Sequence, residues 1–143
     1  MKCTVIIDPT HEEEVVIYAR EESALTKSIA DLVQDHGTRL IGYREDCATE
    51  LRPAELDCLT IEQGKVVAIT HNGKWRLRRR LYELEQILST DFIKINQSCI
   101  INKKQIARFE ATIGGALRIV LKNGYTDYVA RRQLKTVKER LGL

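Results

Sequence analysis

The chain has 143 residues, a length typical of one domain or of one domain with a small extension. Its composition, 43% hydrophobic and 30% charged, is typical of a globular protein with a packed core and excludes a long disordered chain. The formal net charge is +3, and the apolar runs are too short for a signal peptide or a membrane span.

The charge is distributed unevenly along the chain. Residues 1–50 hold five Lys and Arg against eleven Asp and Glu, which gives a net charge of −6. Residues 51–143 hold eighteen against nine, which gives +9. This division predicts an acidic extension over residues 1–50 and a basic binding domain over residues 51–143.

The acidic extension is predicted to form two strands and a helix. Residues 2–7 and 13–18 are rich in β-branched side chains, and Asp8-Pro9 favours a turn between them. Residues 22–36 place Leu25, Ile29, Leu32 and Val33 on one helical face. We expect this extension to contribute to dimerisation, because short apolar strands can extend a sheet across a two-fold axis.

The basic part is predicted to consist mainly of short antiparallel strands. We expect strands at residues 39–43, 49–51, 56–61, 66–70, 74–77, 92–95, 99–101, 106–111, 117–121 and 125–129. Turns are expected at residues 62–65 and at the pairs Asn72-Gly73 and Asn123-Gly124, which tolerate positive φ. Leucine and valine at helical spacing predict helices at residues 79–88 and 131–141. The predicted class is α+β, dominated by β-structure.

Two polar segments between the predicted elements carry side chains that DNA-binding proteins use. Residues 94–98 (KINQS) lie between two apolar strands, and residues 130–133 (ARRQ) join the last strand to the last helix. Glutamine and asparagine pair bidentately with adenine, and arginine pairs with guanine. Lysine and serine contact phosphates. The two segments are therefore candidates for a DNA-binding surface.

Three segments of the basic part follow one another in a recognisable series. They are residues 73–85 (GKWRLRRRLYELE), residues 92–102 (FIKINQSCIIN) and residues 121–132, which begin with LKNG and end with YVARR. Together they cover roughly residues 52–143, and the series resembles the LytTR-type DNA-binding domain of bacterial response regulators. The acidic first fifty residues are similar to those of stand-alone LytTR regulators, which carry no receiver domain.

The resemblance implies an elongated fold of small antiparallel sheets with short helices, which reads the major groove of duplex DNA from loops. The implied base-contacting residues are Gln63, Lys65, Asn96, Gln97 and Arg132. The implied phosphate-contacting residues are Lys94, Ser98, Arg131, Gln133 and Lys135. Asn102 is expected to hold the backbone, and no cofactor or metal is implied. Because Asn96 replaces a frequent histidine and Ala130 a frequent serine, the target sequence is not predictable.

The predicted function is sequence-specific regulation of transcription in the bacterial cytoplasm, by a homodimer on repeated half-sites. A signalling partner, such as a membrane protein, is left open. The alternative is a non-catalytic basic module that binds RNA, an acidic protein or a membrane surface. Few aromatic side chains are available to stack on unpaired bases, which disfavours RNA.

An enzyme is the third class, and the sequence disfavours it. Cys99 lies beside Ser98, but no histidine follows it to activate a nucleophile. The four cysteines form no CxxC pair, which predicts reduced thiols and no metal site. Oxidation of Cys99, beside the predicted DNA-facing loop, is a further hypothesis for the control of binding.

Overall fold

The computed structural model describes all 143 residues and contains ten strands and three α-helices. The helices are α1 (Ala24–Gly37), α2 (Leu81–Ile87) and α3 (Leu134–Leu141). The strands are β1 (Leu40–Arg44), β2 (Cys47–Leu51), β3 (Leu56–Glu62), β4 (Lys65–Thr70), β5 (Gly73–Leu77), β6 (Phe92–Asn96), β7 (Cys99–Asn102), β8 (Ile106–Ala111), β9 (Leu117–Leu121) and β10 (Thr126–Tyr128).

All strand pairs are antiparallel, and the strands form two sheets. The main sheet has seven strands in the order β2-β1-β5-β4-β3-β7-β6, and the second has three in the order β10-β9-β8. Four hairpins of the main sheet (β1–β2, β3–β4, β4–β5 and β6–β7) close with two-residue turns, and such turns fix the pairing of the strands that they join.

The main sheet separates two hydrophobic cores, because successive side chains of a strand point to opposite faces. Leu59 of β3 and Ile100 of β7 pack into the first core with α2. Cys58 and Ile101, their neighbours on the same strands, pack into the second core with β9 and α3. Burial of a side chain of this size contributes about 1.5–3 kcal/mol. The two cores therefore fix how the second sheet and α3 sit against the main sheet.

The β-dominated α+β class is confirmed, and every strand predicted between residues 39 and 129 is present within three residues of its expected ends. The main sheet is larger than the small sheets that were expected. The β4–β5 turn lies at His71-Asn72, one residue before the predicted Asn-Gly pair, because Thr70 pairs with Gly73. The last helix begins at Leu134, and residues 131–133 form a turn before it.

The N-terminal part differs most from its prediction. The strands expected at residues 2–7 and 13–18 are absent, because no other strand lies beside these segments to complete a ladder. The predicted division after residue 50 falls inside β2, and both β1 and β2 belong to the main sheet. No helix of the chain is both long and apolar enough to cross a lipid bilayer.

Candidate nucleic-acid interface

Two of the predicted DNA-contacting segments lie at the same end of the main sheet. In the antiparallel β3–β7 pair, Thr60 is opposite Cys99, so the end of β3 meets the beginning of β7. The β3–β4 turn, which follows Glu62, and the β6–β7 turn, which precedes Cys99, therefore project from the same end of the strands. We call this end the loop end of the main sheet, and it carries the turns Gln63-Gly64 and Gln97-Ser98.

The first of these turns has the backbone of a type I′ hairpin. Gln63 has a φ of 52° and Gly64 a φ of 74°, and Glu62 pairs with Lys65 across the turn. Positive φ at both positions matches the twist of the flanking strands, although it is uncommon for a glutamine. The side chains of Gln63 and Lys65 are exposed, so both are accessible to a ligand at the loop end.

The second turn is held in place by hydrogen bonds of Asn96, the residue that precedes it. The side-chain oxygen of Asn96 accepts a hydrogen bond from the Ser98 N–H at 2.8 Å, and its Nδ2 donates to the Tyr128 carbonyl at 2.9 Å. Gln97 and Ser98 form the exposed tip, and Lys94 is half-buried on β6. Asn96 thus has both polar atoms engaged within the protein, and its predicted contact with a base would require these bonds to open.

The third segment, between β10 and α3, is hydrogen-bonded directly to the second. The Ala130 N–H donates to the Ile95 carbonyl at 2.8 Å, next to the contact between Asn96 and Tyr128. Arg131 and Arg132 then follow in an exposed turn. Buried Val129 and Val137 anchor this turn and α3 in the second core. The two arginines therefore come directly after a residue that is bonded to Ile95, two positions before the Gln97-Ser98 turn.

The last two predicted phosphate contacts lie at the beginning of α3. Gln133 is the half-buried N-cap residue, and its carbonyl accepts the Val137 N–H at 2.8 Å. Lys135 is exposed on the first turn of the helix. Of the ten residues predicted to contact DNA, seven are exposed, and only Lys94, Asn96 and Gln133 are half-buried. Their individual roles stay predictions.

Four arginines at the loop end were not singled out from the sequence. They are Arg76, Arg78, Arg79 and Arg80, which we call the arginine cluster. Val66 pairs with Leu77, so the residues after β5 emerge next to Lys65 at the loop end. The cluster and Lys65 border a groove of about 580 Å³. The run RLRRR was the available signal, since basic runs mark nucleic-acid-binding surfaces.

Asn102 occupies a structural position, as expected. The side chain is buried, its Nδ2 donates to the Leu56 carbonyl at 3.0 Å, and its oxygen accepts the Lys104 N–H at 3.0 Å. Both polar atoms therefore fix the chain that leaves β7, and neither faces the loop end.

Cys99 is close to the second turn in sequence but is buried beneath it. Burial raises the pKa of the Cys99 thiol well above its ordinary value, and burial raises the pKa of Cys58 to about 12. The Tyr125 hydroxyl lies 3.3 Å from the Thr60 hydroxyl and 3.2 Å from the Asp127 carboxylate. Burial also raises the pKa of Tyr125. The two thiols and the Tyr125 hydroxyl are therefore neutral at physiological pH, and these three side chains belong to the second core.

Comparison with known proteins shows the family to which the chain is related. The LytTr DNA-binding domain family matches residues 48–142. Two relatives named as HTH-type transcriptional regulators, from Staphylococcus aureus strains COL and Mu50, are 33% identical to this chain over 146 aligned positions. The match covers 100% of this chain and 99% of each relative.

A solved structure shares the fold. It is a LytTr DNA-binding domain from Bacillus cereus, which superposes with a TM-score of 0.70 at 18% identity. The superposition covers 74% of this chain and 98% of the Bacillus cereus domain. From the family match and the full-length relatives together, this chain belongs to the LytTR family of DNA-binding domains.

Proposed function

We propose that this protein regulates transcription by recognising a specific sequence in the major groove of duplex DNA. The observation that carries the proposal is the convergence of its polar segments. The Gln97-Ser98 turn is hydrogen-bonded through Asn96 and Ile95 to the segment that presents Arg131 and Arg132. Rigidly placed glutamine and arginine side chains are those that pair bidentately with adenine and guanine.

In this proposal the three segments have separate roles. Gln97 and Arg132 contact bases. The exposed Gln63–Lys65 turn adds a further contact from the β3–β4 hairpin, which lies next to the β6–β7 hairpin in the main sheet. Arg131, Ser98 and Lys135 contact phosphates, which set the register of the protein on the duplex without reading sequence. Neither Arg131, Arg132 nor Lys135 forms an ion pair within the protein, so all three charges are available for DNA.

The experiment that tests the proposal is a selection of binding sites from random duplexes. The recovered duplex is then titrated against a scrambled one at two salt concentrations. We expect one recovered motif, which binds at least about a thousandfold more tightly than the scrambled DNA. Salt-sensitive binding without any motif would contradict sequence-specific recognition.

RNA and acidic proteins are the competing partners for the same basic surface. Direct competition of the selected duplex with RNA of the same sequence distinguishes them, because A-form RNA presents a narrow major groove that side chains cannot enter. We expect the RNA to compete no better than scrambled DNA. Equal competition by RNA would favour the alternative module.

We also propose that the protein acts as a homodimer that uses its N-terminal part. Helix α1 presents its polar side to the domain: Gln34 donates to the Ile87 and Leu88 carbonyls at 3.2 Å, and Asp31 accepts from Thr90. Its apolar side, with Leu25 and Leu32, faces solvent. An exposed apolar stripe of this kind is typical of a protein–protein interface.

As a regulator of bacterial type, the protein would meet its DNA in the cytoplasm. The proposed activity is binding alone, without a catalysed reaction. Its regulatory output would then depend on where on the chromosome the dimer sits.

A further inference from the structure

The arginine cluster lies outside the three segments to which DNA contacts were assigned. Arg76 lies on β5 and the other three arginines follow it, whereas those segments follow β3, β6 and β10. All four of its side chains are exposed. They share one groove with Lys65, which is itself a predicted DNA contact. The cluster thus extends the basic surface of the loop end toward β1.

The cluster has no partner within the protein to balance its charge. Other exposed cations have a carboxylate partner: Lys74 pairs with Glu62 at 2.7 Å, and Arg39 pairs with Glu50 at 3.4 Å. None of the four arginines forms an ion pair with a carboxylate. Four adjacent positive charges repel one another, so a multivalent anion that binds all of them relieves this repulsion.

One arginine of the cluster is held in place before any ligand binds. The Arg78 guanidinium lies over the Tyr43 ring, 4.1 Å from its centroid. Such cation–π contacts restrict the side chain while leaving its N–H donors free. The groove therefore presents at least one oriented donor fork, which suits the geometry of a phosphate.

The spacing of the sheet determines what the cluster reaches. Two strand spacings separate β5 from β3, which is about 10 Å. The major groove of B-DNA is about 12 Å wide. When the turn after β3 and the turn before β7 lie in that groove, the end of β5 lies over the phosphates that border it.

We propose that the arginine cluster is an additional binding site for the phosphates of duplex DNA that flank the base pairs contacted by the turns. The inference rests on the proposed function, since it places DNA at the loop end. It assigns affinity, and no base preference, to these four residues. The acidic N-terminal segment of a second copy is the competing occupant, and the test separates the two.

The test is the salt dependence of binding for the variant Arg78→Gln/Arg79→Gln. The slope of log affinity against log salt measures the number of phosphates contacted, at about 0.9 per contact in B-DNA. We expect the slope to fall by about 2, while the ratio of affinities for selected and scrambled duplexes stays unchanged. Arg78→Lys/Arg79→Lys, which keeps both charges, should retain the full slope.

The matched control is Lys27→Gln/Lys122→Gln, which removes the same charge. Both lysines are exposed and without an ion pair, one on α1 and one after β9, where Asn123 bonds to Asp57 at the opposite end of β3. We expect the control to change the slope by less than half as much as the arginine variant, and both variants to keep the wild-type melting temperature.

The outcomes are distinguishable from failure of the proposed function. Absence of salt-dependent duplex binding by the unmodified protein would contradict the proposed function itself. If the unmodified protein binds its site and the arginine variant keeps the full slope, only the assignment of the cluster is wrong. A variant that keeps the slope but changes self-association would assign the cluster to the acidic segment.

Discussion

At the scale of single residues, the polar groups of the loop end divide into those that are engaged within the protein and those that are free. Asn96 and Asn102 each use both polar atoms on backbone groups, and they shape the turns. Gln97 and Arg132 sit on that framework with exposed side chains. We infer that Gln97 and Arg132 determine the sequence specificity. A base contact needs a side chain that is fixed in position and has hydrogen-bonding groups free for the base.

Arg132→Ala is therefore expected to relax base preference. Loss of one bidentate base contact costs about 1–3 kcal/mol of discrimination, which corresponds to roughly five- to 150-fold at a single base pair. Titration of duplexes that carry each of the four base pairs at that position measures this effect. Lys135→Ala serves as the control, since it should weaken all duplexes by a similar factor. Arg132→Ala with unchanged preference would remove Arg132 from the base contacts.

The buried thiols give a prediction about pH and redox chemistry. The thiolate is the reactive form, and the raised pKa values of Cys58 and Cys99 keep both thiols protonated at pH 8. We expect two thiols, Cys3 and Cys47, to react rapidly with a thiol reagent in the native protein and four in denaturant. Peroxide should then leave DNA affinity unchanged, against the hypothesis that oxidation of Cys99 controls binding.

The same pKa shift fixes the sign of a change in stability. Because the folded pKa of Cys58 lies near 12 and the ordinary value near 9, the free energy of unfolding falls as pH rises through that interval. Denaturant titrations at pH 8 and pH 10 measure the difference. Rapid modification of all four thiols at pH 8 in the folded protein would contradict this account.

At the scale of elements, a strand is predicted well from the sequence where the chain also supplies a second strand to pair with it. Residues 56–61 and 66–70 form strands as expected, since the turn between them pairs one directly with the other. Residues 2–7 are also rich in β-branched side chains and form none. β-propensity describes how well side chains fit a pleated, half-buried surface, and the N-terminal segment has no such surface beside it within one chain.

Helix α1 shows a second limit of sequence patterns. Its hydrophobic periodicity predicts the helix correctly but not the direction of its apolar face. Leu25, Leu32 and Val33 are 52%, 70% and 44% exposed, because the polar side of α1 bonds to the end of α2 and the residues that follow it. An amphipathic pattern therefore identifies an apolar face but not what covers it, and here much of that face is left exposed by the rest of the chain.

Leu32→Glu is expected to dissociate the homodimer. A charge in the centre of an apolar contact between two copies loses its hydration, whereas the same charge on an exposed helix of a monomer does not. Sedimentation velocity should show a dimer for the unmodified protein and a monomer for the variant, with no change in the melting of the monomer. Ala30→Glu, exposed on α1 beside the apolar stripe, should remain dimeric. A monomeric unmodified protein would contradict the proposal.

At the scale of the whole molecule, the binding surface depends on contacts that span long stretches of sequence. Pairing of β3 with β7 joins residues about forty positions apart, and the bond between Asn96 and Tyr128 joins residues 32 apart. Residue types alone predicted which loops carry side chains of the kind that contact DNA. Their convergence, and the position of the arginine cluster beside them, follow from strand order, which spacing in the sequence does not determine.

The size of this surface sets the arrangement of the DNA site. Four strand spacings from β5 to β6 measure about 19 Å, which is shorter than one turn of B-DNA at about 34 Å. We therefore expect one copy of the protein to cover one half-site. Two copies joined through α1 are expected to require half-sites on the same side of the duplex, about 10–10.5 base pairs apart.

Insertions between the two half-sites test this arrangement. Five added base pairs rotate the second half-site to the opposite side of the duplex, so affinity should fall to that of a single half-site. Ten added base pairs restore the orientation and should recover part of the lost affinity. Fluorescence anisotropy on the three duplexes measures the pattern, and Leu32→Glu should bind all three equally, because a monomer does not sense the spacing. Equal binding of the three duplexes by the unmodified protein would show that its two copies, if paired, do not hold the DNA as one rigid unit.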